Sequence, residues 1–194
     1  MKKNKQLEVP SIEEVQGEIK RVRFNKRYRR ILRSTVNVLI VTAAIAALIA
    51  TLVLPVVQIT GTSMEPTLHE GDIVVLVKTD HLKRGDLCAF SYSNKILIKR
   101  VIGLPGDYID IDSEGNVSVN GKAIDEPYVV NKSLGDADIT FPFQVPESQY
   151  FMMGDQRDTS IDSRNTVIGC ITSDQMVGKI LFKVWPLSGG LLVD

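Results

Sequence analysis

Histidine and cysteine are scarce in this chain, two of each, and tryptophan occurs once. So few ligating side chains give none of the spacings of a zinc site, and no metal is expected. Glycine-rich phosphate loops and nucleotide-fold fingerprints are also missing, so no cofactor is expected. There is no internal repeat and no low-complexity tract. Net charge is absent too, with 23 Lys+Arg against 23 Asp+Glu in 194 residues, yet the balance hides an asymmetry. Residues 1–33 hold 11 basic against 4 acidic side chains, and residues 34–194 hold 12 against 19. A basic head joined to an acidic body marks a membrane or nucleic-acid partner.

What separates the two halves is a run without any charge, from Ser34 to Met64. Within it, residues 36–57 are interrupted only by Asn37, Thr42 and Thr51. As a helix these residues reach about 33 Å, enough for a hydrocarbon core of about 30 Å. Residues 20–33 carry eight Lys or Arg, whereas the first basic residue after the span is Lys78. This bias predicts a cytoplasmic amino terminus and an extracytoplasmic body. Ala44-Ile45-Ala46 has the form of a processing site, but the basic and apolar regions are both too long for a cleavable leader, which predicts an uncleaved anchor. Ser11 with Glu14 resembles a capping box, and Ile12, Val15, Ile19 and Val22 recur at helical spacing, so a juxtamembrane amphipathic helix is expected. Its Lys and Arg hold topology and touch anionic lipid; few aromatics interleave them, and no nucleic-acid partner is expected. The predicted organisation is a basic segment 1–33, a transmembrane helix 34–57 and one domain 58–194.

That domain contains 13 Gly and 6 Pro, too many breakers for long helices. Strands are predicted at 73–77, 87–92, 96–102, 108–111, 150–153 and 179–185, with a short helix over 173–177. Asn120-Gly121 within alternating residues predicts a two-residue hairpin. The fold class is therefore all-β, a compact antiparallel barrel or sandwich behind one amino-terminal transmembrane helix.

Two segments carry candidate chemistry. Ser63 lies between Gly61 and Pro66, where a serine is ordinarily a turn residue. Lys99 sits on a predicted strand and shares a face with Leu97 and Val101, an unusual setting for an ammonium. At pH 7 a free lysine would have to give up about 4.6 kcal/mol to act as a neutral base, and burial can remove much of that. The bland reading is an amine that snorkels to solvent from a strand edge. His69 and His81 lie in segments that present no orienting carboxylate, so a histidine triad is not expected. Cys88 and Cys170 permit one disulfide and prove none, since each also suits a buried site. Phe141-Pro142-Phe143 and Trp185-Pro186 suit either apolar tips that dip into a membrane surface or core packing.

Ser63-Met64-Glu65-Pro66-Thr67-Leu68, Gly71-Asp72, the run Lys99-Arg100-Val101-Ile102-Gly103-Leu104-Pro105-Gly106-Asp107 and the run from Gly154-Asp155-Gln156-Arg157 through Ser160-Ile161-Asp162-Ser163-Arg164 resemble the sequence boxes of bacterial type I signal peptidases. The single span and the short interval between Lys99 and Gly154 resemble the compact Gram-positive type. The resemblance implies a membrane-anchored serine endopeptidase that removes signal peptides after a small-x-small site. It implies Ser63 as nucleophile, Lys99 as general base, Ser160 as the hydroxyl bonded to that amine, and Asp162 with Arg164 as a supporting ion pair. Arg100 is implied to pair with Asp155. Ile59, Met64, Leu97 and Ile98 are implied to line shallow substrate pockets, with ordinary core packing as their alternative. Some members carry a hydroxyl residue two positions before the nucleophile; here it is Gly61, which leaves the second oxyanion donor open. The implied partners are signal-peptide-bearing preproteins, the lipid bilayer and, as a further candidate, the secretion translocon.

Two other readings compete. Self-cleaving repressors resemble the chain in a Gly-x-Ser-Met segment and a later lysine, but they are soluble and carry a helix-turn-helix head. A catalytically silent relative acting as a surface assembly factor would keep the fold and lose the dyad, against which Ser63, Lys99 and Ser160 are all retained.

Overall fold

The computed structural model describes residues 12–79 and 81–186. Ser11, half of the expected capping box, lies outside them. The chain divides after Val53 into a helical unit and a β unit.

Helix α1 runs without a break from Ile12 to Val53, 42 residues, so the basic segment from Ile12 onward and the apolar span form one element. Its length of about 63 Å is twice a hydrocarbon core. The hydroxyl of Thr42, a polar interruption of the span, donates to the carbonyls of Val38 and Leu39 at 3.0 Å each. A polar group in an apolar stretch is thereby satisfied inside its own helix. The helix ends at Val53, four residues short of the expected span. Leu54 precedes Pro55 and is pushed out of the helical region, and the missing N–H of Pro55 cannot continue the ladder. Val56 and Val57, read in the sequence as the end of the span, instead open strand β1 (Val56–Gln58).

The β unit continues with β2 (Ile73–Val77), β3 (Leu87–Tyr92), β4 (Lys95–Gly103), β5 (Tyr108–Ile111), β6 (Val117–Val119) and β7 (Lys122–Ala123). It closes with β8 (Phe143–Gln144), β9 (Gln149–Met153), β10 (Ile171–Thr172) and β11 (Met176–Trp185), with a single 3-10 turn at Ser173–Gln175. The larger sheet has the order β1-β2-β11-β3-β4-β9-β10 and the smaller the order β7-β6-β5-β8. Every pairing is antiparallel. Asn120 and Gly121 both take positive φ, 52° and 75°, the type I′ geometry that joins β6 to β7 in two residues.

Strand β4 positions the site. Its amino-terminal half pairs with β3 on one edge, and from Arg100 onward β9 occupies the other edge. Ile98 packs with Ile59, Met64, Leu68 and Leu87 in one apolar cluster. Val101 packs with Cys88, Phe90 and Met152 in another, against which Leu97 is half-buried. Held from both faces, Lys99 has a fixed backbone. Phe141 and Phe143 are half-buried against a third cluster that contains Phe151, which favours packing over exposed tips for those two residues. Trp185, at 59% exposure, stays at the surface.

Candidate active site

Ser63 stands half-buried in a tight turn closed by the Glu65 N–H to the Thr62 carbonyl at 3.0 Å and the Leu68 N–H to the Met64 carbonyl at 2.9 Å. Burial of Met64 and Leu68 ties this turn to the core. The Ser63 carbonyl accepts from the Gln156 N–H at 3.1 Å, which docks the turn against the loop of residues 154–164. Gly154 permits that docking. A Cβ there would lie 2.2 Å from Ser160 Oγ and 2.6 Å from the Ser63 carbonyl oxygen, closer than any side chain tolerates.

Lys99 is 4% exposed, so its amine does not snorkel to solvent. Its Nζ donates to Ser160 Oγ at 2.9 Å, and the Ser160 hydroxyl donates to Asp162 Oδ2 at 2.8 Å. Burial pushes the lysine pKa down from 10.5 to about 8; Asp162 opposes the fall, Arg164 adds to it, and Asp155 opposes it. The carboxylate of Asp162 is itself fully occupied. Arg164 Nε reaches its Oδ1 at 2.8 Å, and Arg164 Nη2 and the Gly154 N–H reach its Oδ2 at 2.9 Å each. Burial alone would raise the Asp162 pKa, but the bonds and charge of Arg164, with those from Gly154 and Ser160, hold it below the ordinary carboxylate range. Asp162 therefore stays charged wherever Lys99 titrates.

Ser63 and Lys99 line one cleft of about 310 Å³, whose walls are residues 57–61 and 63–64 on one side and residues 95–99 on the other. Ile59, Met64, Leu97 and Ile98 all line it. No hydrogen bond joins the Ser63 hydroxyl to the Lys99 amine among the described residues, a looseness common in sites without substrate. Asp155 takes Arg100 in a bidentate pair, Nε to Oδ1 at 2.9 Å and Nη2 to Oδ2 at 2.8 Å, both side chains buried. This pair anchors the strand that bears Lys99 to the loop that bears Ser160.

The histidines and cysteines stay outside this cleft. His69 lines a separate depression with Glu70, Asp72, Lys183 and Trp185. Cys88 and Cys170 are unpaired and pack in different clusters, and burial pushes their thiols up to about 12 and about 11. Neither is a thiolate near neutral pH.

The family profile described as signal peptidase, peptidase S26, matches residues 32–185. The chain belongs to this signal peptidase family. A signal peptidase I of Bacillus licheniformis is 34% identical over 169 residues, covering 79% of this chain and 88% of its own length. A signal peptidase IB of Staphylococcus aureus is 38% identical over 151 residues, covering 67% and 77%. A solved signal peptidase I from Enterococcus faecalis is 26% identical and covers 53% of this chain and 98% of its own, with a TM-score of 0.43.

In this signal peptidase the loop around the site rests on side chains that sequence reasoning missed. Glu126 forms a buried ion pair with Arg157, whose Nη1 reaches Glu126 Oε2 at 3.2 Å and whose Nε donates to the Gly154 carbonyl at 3.1 Å. The Tyr128 hydroxyl donates to Glu126 at 3.2 Å, and the Tyr128 ring lies 3.8 Å from the Arg100 guanidinium carbon. Thr67 donates to Asp155, joining the turn that carries Ser63 to the same network. Acidic and aromatic residues in a turn-rich segment look like solvated loop, and only the fold brings them 31 residues along the chain to Arg157. Replacing Glu126 by alanine leaves Arg157 buried without a counter-charge, which should cost about 3 to 5 kcal/mol. Denaturant unfolding of the full chain in detergent measures it, and a loss below about 1 kcal/mol would contradict the buried-pair account.

Proposed function

We propose that this membrane-anchored signal peptidase hydrolyses preproteins through a Ser63/Lys99 dyad and an acyl-enzyme. The observation that carries the reading is the chain of bonds from Lys99 Nζ to Ser160 Oγ to Asp162 Oδ2 in the cleft that holds Ser63. The single Ser160 proton is spent on Asp162, so Ser160 can only accept from the lysine. A neutral Lys99 amine then points one hydrogen at Ser160 and keeps its lone pair for another proton. At a pKa of about 8, about one molecule in ten has that amine neutral at pH 7.

In the first step Ser63 Oγ bonds to the scissile carbonyl carbon as its proton passes to Lys99. The resulting ammonium gives that proton to the leaving nitrogen as the C–N bond breaks, and the signal peptide stays esterified to Ser63. A water deprotonated by Lys99 then attacks the ester, and the proton returns to Ser63 as the C–O bond breaks. The Ser63 N–H is the first oxyanion donor, and Gly61 supplies no side-chain second. Ser160, Asp162 and Arg164 are positioning residues that act through Lys99.

The segment before the cut would add as a strand in the cleft, with its small first and third residues against Ile59, Met64, Leu97 and Ile98. Residues 1–33 are the cytoplasmic segment, residues 34–57 contain the span together with its exit, and residues 58–194 form the extracytoplasmic catalytic domain. The basic flank sets this orientation. Preproteins emerging from the translocon meet the domain on the far side of the membrane.

The pH dependence of kcat/KM tests the base. Activity requires the deprotonated amine, so kcat/KM should rise tenfold per pH unit on the acid side and level above about 8. A limb displaced to about 10, or no limb, would contradict a buried lysine base.

A further inference from the structure

We propose that Lys95 selects preproteins by charge, favouring an acidic residue and disfavouring a basic one at the fourth or fifth position upstream of the cut. This rests on the strand-addition reading above. Strand β4 pairs with β3 from Lys95 to Arg100, but β9 takes the opposite edge only from Arg100 onward. Among the described residues that opposite edge is therefore open along residues 95–99, which form one wall of the cleft. Past Lys99 it is occupied, so a strand added beside the dyad extends in one direction, towards Lys95. The apolar residues Ile98 and Leu97 lie along that direction, which makes it the upstream side. At about 3.3 Å per residue, Lys95 stands about 13 Å from Lys99. An extended peptide cut beside Lys99 brings its fourth or fifth upstream residue alongside Lys95.

The charge on this wall has no counterweight. Among the described residues, Lys95 and Lys99 are the only charged side chains lining the cleft, and none of its lining residues is acidic. Lys99 is committed to Ser160, whereas Lys95 is exposed and enters none of the ion pairs among the described residues. Its ammonium shares a strand face with Leu97 and Lys99, two and four residues on. An acidic substrate residue there gains an exposed ion pair, and a basic one meets a like charge. Together these make about a fivefold to tenfold difference.

The test uses the full chain in detergent with three preproteins mixed in one tube, identical except for Asp, Ser or Lys at the fourth upstream position. Competition gives relative kcat/KM, a ratio that does not depend on how much of a variant is folded. The expected order for the wild type is Asp, then Ser, then Lys, with the spread shrinking in about 0.5 M salt as the charges are screened. Lys95→Glu should reverse the order, and Lys95→Gln should bring the ratios near one. An order unchanged in Lys95→Glu, or equal rates for all three preproteins with the wild type, would overturn the assignment while leaving the peptidase reading intact. Failure of the wild type to cut the Ser preprotein would overturn that reading and this inference with it.

Discussion

Replacing Lys99 by methionine should abolish cleavage, by at least about 10⁴-fold in kcat, and at the same time make the protein more stable at pH 7. Both effects have one cause. The folded-state pKa is lowered to about 8 from 10.5, so between those values the unfolded chain binds a proton that the folded chain does not. Stability contributed by this group therefore rises with pH from about 8 to about 10.5. Below about 8 both states are protonated, and the folded state bears the whole cost of the buried ammonium, about 3 kcal/mol. Methionine has similar volume and no charge, and it gives up one bond to Ser160 worth about 1 kcal/mol. The expected gain is roughly 2 kcal/mol, read as a higher Tm in detergent at pH 7, with the gain vanishing towards pH 10.5. Ser63→Ala should lose activity to the same degree with little change in Tm. Appreciable cleavage by Lys99→Met would take the amine out of the reaction, appreciable cleavage by Ser63→Ala would do the same for the hydroxyl, and a destabilised Lys99→Met would contradict the cost assigned to the buried ammonium.

Gly154→Ala is expected to damage both catalysis and folding. Its Cβ would stand 2.6 Å from Ser160 Cβ and 2.6 Å from the Ser63 carbonyl oxygen, so relief requires one of those two segments to move. Moving Ser160 takes the acceptor away from Lys99, and moving Ser63 displaces the proposed nucleophile. A displacement on the order of 1 Å at such groups costs about 10²-fold in rate. The close packing adds about 1 to 3 kcal/mol of destabilisation. Kinetics and unfolding on the same preparation separate the two effects. A kcat within threefold of wild type would show that the turn and the loop are less tightly coupled than their contacts imply.

Several elements were legible in the sequence because local chemistry and tertiary context agree there. The bounds of β2, β3 and β5 coincide with their hydrophobic runs, since each run ends at a breaker or a charged residue. Asn120-Gly121 was legible for the same reason, as few other pairs adopt positive φ twice in succession. Strand β1 was hidden because Val56 and Val57 extend an apolar run past Pro55, and they show as a strand only through their pairing with Val75 and Val74 of β2. Strands β8 and β10 have two residues each, too few for a period to show.

The site divides in the same way. Ser63, Lys99 and the residues 160–164 stood out through family boxes, and the Arg100–Asp155 pair implied by the resemblance is present as a buried bidentate contact. Glu126 and Tyr128 carried no signal, because a buried ion pair is a property of two segments and neither announces its partner. Arg157 fell inside a family box that assigned it no role, yet it is 1% exposed and pairs with Glu126.

The central claim is that this one cleft cuts exported preproteins after a small-x-small site with Ser63 as nucleophile. Its most direct test is cleavage, in detergent, of a secretory preprotein with alanine at the first and third upstream positions, by wild type and by Ser63→Ala, with the new amino terminus mapped. The account predicts a single new terminus, immediately after the small-x-small site, from the wild type alone. Cleavage elsewhere, or at that site by Ser63→Ala, would contradict it.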